Sequence, residues 1–367
     1  MTDLTHEFRT YDSRTDEIYD HMMMCRDKTI LAVNRYRLTR EAQWVMSLHD
    51  PTFRFIEDES TGKGQIQLND WASHGIYQNV LIEGSFDEKM EHMHKSLNEG
   101  QEVYIGTIHP HLPFSARYNP ALSEENYDYP NHIFAILAET EAEYVYFDTS
   151  SIKSTRFIPY SKNPELGVIR KEIVDRELKK LFQLAVLEWH DDMAIRLKSY
   201  PLMLLQRFAR ENKETQKEQE NQKVYTGIEG IERFREWILS KEKLKEPDLF
   251  YHFLDIAEIL NWKLKDVWTR RFLFGRWEEQ KQRNAVIADA FFASQHAWER
   301  LAMALLYMEG RRLPIEHKKI DYLLQEVMQE EDNLMSVVRK EYLISPSAAD
   351  ALSPTPGGQP CTAGWRR

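Results

Sequence analysis

Two short runs between His132 and Asp148 constrain this chain more than any other stretch. His132-Ile133-Phe134-Ala135-Ile136-Leu137 and Glu143-Tyr144-Val145-Tyr146-Phe147-Asp148 are apolar or aromatic, and Glu139-Thr140-Glu141-Ala142 lies between them. Short runs of this composition around a tight polar turn read as adjacent antiparallel strands. A hairpin sets the start of its first strand beside the end of its second, so His132 and Asp148 are predicted to meet at one end of a sheet. A further strand is predicted at Glu102–Thr107, after the turn signal Asn98-Glu99-Gly100. A segment rich in Pro, His and aromatics follows, from His109 to Pro120.

An imidazole held by a carboxylate serves a nucleophile. The candidate is Cys25, which leads into Thr29-Ile30-Leu31-Ala32-Val33-Asn34-Arg35-Tyr36. Cys25, Thr29, Ala32, Val33 and Tyr36 share one helical face, at spacings of three, four and seven. That puts the thiol at the N-terminal end of a buried helix. The partial positive charge and unpaired N–H groups there lower a thiol's pKa and can bind an oxyanion. The competing reading treats Cys25 as a small core hydrophobe.

Composition narrows the class. With 367 residues, 42% hydrophobic and 12% aromatic, the chain can bury a sizeable core in two domains or one large one. A net charge of -11 argues against non-specific nucleic-acid binding. No apolar run approaches the roughly 18 residues of a membrane span, and Met1–Tyr19 is too polar for a secretory signal. Cys25 and Cys361 are too few for a disulfide framework, which suggests a reduced, cytoplasmic protein. No cofactor is expected. Metal is not expected either: Glu91-His92-Met93-His94 and His109-Pro110-His111 lack a matching second set of ligands. They read as a solvated helix face and a proline-fixed loop.

Around this centre, Phe53–Glu57 and Gly64–Leu68 are predicted strands joined by Thr61-Gly62-Lys63-Gly64, and Ser85–Leu97 is a predicted helix with Phe86, Met90 and Met93 on one side. From about Glu165 to Leu343 the pattern is helical throughout. Helices are predicted over Val168–Trp189, Ile228–Leu239, Leu249–Leu260 and Val286–Tyr307, punctuated by Pro201, Pro247 and Pro314. The Gln-rich run Glu211–Lys223 is predicted to be an exposed loop or helix end. Arg270-Arg271, Arg276 and Arg311-Arg312 read as solvated helix surface, and Trp262, Trp268, Trp277 and Trp298 as core. A disordered tail is predicted from Ser345. The expected domains are 1–160, 161–344 and the tail 345–367.

The order of Cys at a helix start, His at a strand start and Asp at the end of the next strand resembles the papain-like arrangement. More specifically, the chain resembles the cysteine-dependent acyltransferase family of the butirosin biosynthesis type, found in antibiotic and peptide gene clusters. That family's helix reads roughly C-x-x-x-T-[LI]-[LA]-x-[VL]-x-x-[YF], and Cys25 to Tyr36 fits it. The Gly100–Gly106 strand, Leu112-Pro113-Phe114 with Tyr118, the His132 strand, Tyr144–Asp148, Gly227–Phe234 and the segment around Trp298 follow in the family's order. The resemblance covers about residues 20–343. It departs at Ile108-His109-Pro110, where the family has an acidic residue, and at Thr149, where it has proline. Papain-like peptidases also carry a glutamine about six residues before the cysteine. Here that position holds Tyr19, which leaves the helix-start backbone or His21 as oxyanion donor.

The resemblance implies an α+β protein: a papain-like domain, mainly an antiparallel sheet packed on the Cys-bearing helix, followed by an all-helical domain. It implies a Cys25, His132, Asp148 triad that takes an acyl group from a carrier-protein or phosphopantetheine thioester and passes it to a small amine as an amide. The same triad with water as acceptor gives an amidase or peptidase. A third reading is a non-catalytic relative that binds a peptide or carrier protein, with Cys25 as packing. Neither nucleic acid nor membrane is an expected partner, and a homo-oligomer is left open. If Asp148 pointed away from His132, Asn131 and Asp128 would come back into consideration.

Overall fold

The computed structural model describes residues 25–58, 60, 62–66, 77–107, 132–148, 166–179, 183–190, 193–210, 216–219, 222–242, 264–274, 281–311 and 313–342. In chain order the elements are α1 (Cys25–Asn34), a 3-10 turn (Arg35–Arg37), α2 (Arg40–Met46), β1 (Arg54–Asp58), β2 (Lys63–Ile66), β3 (Tyr77–Ile82), α3 (Phe86–Asn98), β4 (Val103–Thr107), β5 (His132–Glu139) and β6 (Glu143–Phe147). They continue with β7 (Leu166–Arg170), α4 (Lys171–Leu178), β8 (Gln183–Trp189), α5 (Met193–Arg210), β9 (Gln216–Gln219), β10 (Gln222–Thr226), α6 (Gly227–Leu239), α7 (Leu264–Phe274), α8 (Lys281–Gly310) and α9 (His317–Tyr342). The protein is α+β, with antiparallel sheets and a helical C-terminal region. Two compact units interleave in sequence: Met1–Ser47 with Ala72–Arg196, and Leu48–Trp71 with Leu197–Gly358.

The first unit is built on a six-stranded antiparallel sheet of order β3-β8-β4-β5-β6-β7. Strand alternation divides its side chains between two faces. On one face Val103, Ile105, Phe134, Ile136, Tyr144, Tyr146, Leu184 and Val186 form a core with Met90, Met93 and Leu97 of α3 and Val174 of α4. The spacing of three and four along α3 supplies that stripe. A capping box fixes where α3 starts: Glu88 N–H donates to Ser85 Oγ, and Ser85 N–H donates to Glu88 Oε2. Donation from the Ser85 N–H and from its hydroxyl also holds the Glu88 carboxyl below its ordinary pKa. Gly100, with φ of +76°, turns the chain into β4. On the opposite face lie Tyr77, Tyr104, Ala135, Phe147 and Ala185, all buried. The helix α1 packs against β5 from this side, with Asn34 Nδ2 donating to Tyr104 Oη at 2.7 Å.

The β5–β6 hairpin forms as the sequence predicts. Thr140 N–H donates to Glu143 O, Glu143 N–H donates to Thr140 Oγ1, and Ala135 pairs with Phe147. Val168–Trp189, by contrast, is not one helix. β7 pairs with β6, β8 pairs with both β3 and β4, and among the described residues between them Lys171–Leu178 is helical. The apolar runs Val168-Ile169 and Leu184–Leu187 are short enough to serve either period, and sheet partners decided between them.

The second unit carries a four-stranded sheet of order β2-β1-β10-β9. The run predicted as a loop up to Lys223 supplies β9 and opens β10, which pairs with β1 from Arg54↔Thr226 to Asp58↔Gln222. The C-terminal part is therefore not all-helical. Its helical portion matches expectation at α6 and α8, while Leu249–Leu260 and the tail from Ser345 lie outside the described residues. Pro201 sits inside α5 rather than ending a helix. Trp268 and Trp298 are core, Trp268 stacking on both Phe272 and Phe291. Trp262 and Trp277 lie outside the described residues. Among the described residues no helix is long and apolar enough to cross a membrane.

Candidate active site

His132 opens β5 and Asp148 immediately follows β6. With Ala135 opposite Phe147, continued register sets Phe134 opposite Asp148. His132 and Asp148 are then diagonal neighbours on one sheet face, within reach of a ring and a carboxylate. The imidazole Nε2 lies 2.7 Å from Asp148 Oδ1, and the two residues are only 2% and 1% exposed. An ionised carboxylate can only accept. Nε2 therefore carries the proton, and Nδ1 is the basic nitrogen of the ring. Burial strengthens the pairing and fixes the ring's orientation.

Cys25 is the first residue of α1. Its backbone is described, but the thiol lies outside the described side chains. The C-terminal end of α1 is tied near the start of β4 by the Asn34–Tyr104 bond and by Arg37 Nη2 donating to Glu102 Oε2 at 3.3 Å. Since β4 and β5 are antiparallel, the start of β4 lies at the end of the pair away from His132. Alternation assigns His132 to the face of Phe134 and Ile136, and α1 packs on the other. The helix buries Thr29 to Asn34 on nearly all sides, while Tyr36, expected on its buried face, is 41% exposed beyond the 3-10 turn's start.

The other sequence candidates separate cleanly. His94 Nδ1 is 2.7 Å from Glu139 Oε2, its ring stacks on Tyr144, and Lys171 Nζ pairs with the same carboxylate. His92 has no set of metal ligands around it: among the described residues no group of three metal-binding side chains occurs. His109, His111, the Leu112-Pro113-Phe114 loop, Tyr118, Asp128, Asn131, Tyr19 and His21 lie outside the described residues. Arg270 pairs with Asp266 one helical turn away, as a solvated helix face does.

Sequence reasoning passed over one buried polar cluster and one partly buried one. Lys265, fully buried, donates to Pro51 O and to Glu331 Oε2. Glu331 also accepts from Ser294 Oγ and Trp298 Nε1, both at 2.7 Å. Desolvation pushes the Lys265 ammonium below its ordinary pKa against the pull of Glu331. The second cluster joins Tyr144 Oη, which donates to Asp175 Oδ1 at 3.2 Å, to the His94–Glu139–Lys171 group. Partial burial raises the Asp175 carboxyl above its ordinary range. A signal for Glu331 was present: it falls in the stripe Ile320, Leu324, Val327, Glu331, Leu334, Val338, at spacings of four and three. No known protein-family model matches the chain, and no curated protein matches it.

Proposed function

We propose that this chain is a papain-like, cysteine-dependent acyltransferase that forms amide bonds, as the family it resembles does in natural-product assembly. The observation that carries the reading is the buried His132–Asp148 hydrogen bond at the end of the six-stranded sheet. His132 Nδ1 takes the Cys25 proton, and Asp148 holds the imidazole and offsets the charge it gains. The thiolate attacks the acyl carbon of a carrier-protein thioester, a C–S bond to the enzyme forms, and the carrier's thiol leaves with the proton from His132. An amine then attacks the acyl-cysteine, its nitrogen bonding to carbon as the C–S bond breaks, and its proton returns to the thiolate through His132. Exchange between two thioesters is nearly balanced in energy, and amide formation runs downhill.

Intact mass after exposure to acyl thioesters tests this. Wild type gains one acyl mass, Cys25→Ala gains none, and His132→Ala gains it about 10²–10⁴ more slowly. Cys25→Ala costs about 1–2 kcal/mol of stability at most. Added amine discharges the acyl-enzyme to amide faster than water discharges it to acid. Discharge to acid alone, indifferent to amine, identifies a hydrolase instead. Wild type that takes no acyl mass from any thioester sinks the enzyme reading.

A further inference from the structure

Among the described residues at the His132 end of the six-stranded sheet, two buried polar atoms have no hydrogen-bond partner: Thr107 Oγ1 and Gln183 Oε1. Thr107 is directly opposite His132 in register, on the same face. Gln183 opens β8 opposite Gly106, which pairs in turn with Ile133. Ile133, Gly106 and Gln183 thus form a row across three strands, on the face that α1 covers. Gly106 brings no side chain to the middle of that row. Leaving a buried polar atom unpaired is unfavourable, and such atoms in folded proteins call for a specific explanation.

A carboxamide oxygen is a pure acceptor, so what satisfies it must bring an N–H or O–H. The reacting carbon of a thioester carries neither. An amine carries N–H groups on the very atom that reacts. Resting on the acyl-transfer reading above, we propose that Gln183 receives the acceptor amine. Its Oε1 accepts one N–H of a primary aliphatic amine and leaves the nitrogen lone pair for the acyl carbon of the acyl-cysteine. The C–N bond forms, the C–S bond breaks, and the displaced proton passes by His132 to the departing sulfur. A neutral carboxamide suits this task. A carboxylate at the same place would favour the ammonium form, which has no lone pair to attack with.

The test uses the full chain, a butyryl thioester of N-acetylcysteamine and butylamine, with Gln183→Met and Gln183→Glu beside wild type. Gln183→Met keeps side-chain length and removes the acceptor. It should load acyl groups within about twofold of wild type and hydrolyse the acyl-enzyme at the same rate, yet need at least tenfold more amine for half-maximal discharge. Gln183→Glu should saturate at lower amine while its discharge-against-pH curve moves upward, a shift that a merely structural residue does not cause. Wild-type amine dependence in Gln183→Met overturns the proposal. So does a defect confined to acyl loading, which would assign the carboxamide to the acyl oxygen. If wild type takes no acyl group at all, the acyltransferase reading fails by itself. Butylamine titration followed by the Gln183 side-chain amide resonances then decides the amine site: a saturable shift supports it, and its absence overturns it.

Discussion

At the scale of single residues, the proposed acyl transfer turns on the tautomer of His132. Asp148→Asn keeps the size of the side chain but presents an N–H₂ that can donate to Nε2, which moves the ring proton to Nδ1 and abolishes the base. Acyl loading should fall by about 10²–10⁴, with a stability loss of only about 1–3 kcal/mol; single-turnover mass spectrometry and urea melts measure the two. An Asp148→Asn protein that loads at the wild-type rate removes the carboxylate from the mechanism. The pair was legible because alternation and a short turn fix which residues share a sheet end. Thr107 and Gln183 were not, since their significance lies in register with strands far away in sequence, and no local pattern marks an atom that lacks a partner.

At the scale of elements, the hairpin, α3, α6 and α8 could be read from period and capping, whereas β7, β8, β9 and β10 could not. Val168–Trp189 holds enough apolar residues to satisfy a helical stripe by chance, and Glu211–Lys223 is polar enough to pass for a loop or helix end. Both became strands through partners that the sequence does not announce. The contact between α4 and the end of the hairpin also carries a pH signature. Burial raises the Asp175 carboxyl above its unfolded value, against the lowering influence of the Tyr144 hydroxyl, His94, Lys171 and Lys179. A carboxyl raised on folding contributes stability that is complete below its unfolded pKa, near 3.9, and is lost as pH rises through the folded value. Asp175→Asn, which still accepts from Tyr144, should match wild type near pH 3.5 and melt at a higher temperature than wild type by pH 7. Parallel melting curves across that range would falsify the assignment.

At the scale of the whole molecule, the interleaving of the units matters most. Residues Leu48 to Phe53 are held within the second unit by Tyr200 Oη donating to Leu48 O, Trp268 Nε1 to His49 O, Lys265 Nζ to Pro51 O and Gly227 N–H to Phe53 O. Arg207 adds an ion pair to Asp50. A fragment of residues 197–358 leaves those donors, and the β1 edge of β10, without partners. It should show no cooperative unfolding transition, and supplying residues 48–71 through a flexible linker should restore one. The Lys265–Glu331 pair makes the same dependence measurable by substitution. Lys265→Met strands a buried carboxylate and should cost about 3–5 kcal/mol, while Lys265→Met with Glu331→Gln should recover most of that loss. A double variant no more stable than the single one would mean that the lysine matters for its bond to Pro51 rather than for its charge.

The pairing of β1 with β10 also sets a timetable for synthesis. Register partners Arg54 and Thr226 are about 170 residues apart, so at roughly 5–20 residues per second β1 leaves the ribosome about 10–30 s before its partner exists. During that interval Phe53, Phe55 and Ile56, buried once the sheet forms, stay open to solvent beside an unpaired strand edge. The nascent chain at that stage is the species on which chaperone capture and early aggregation compete.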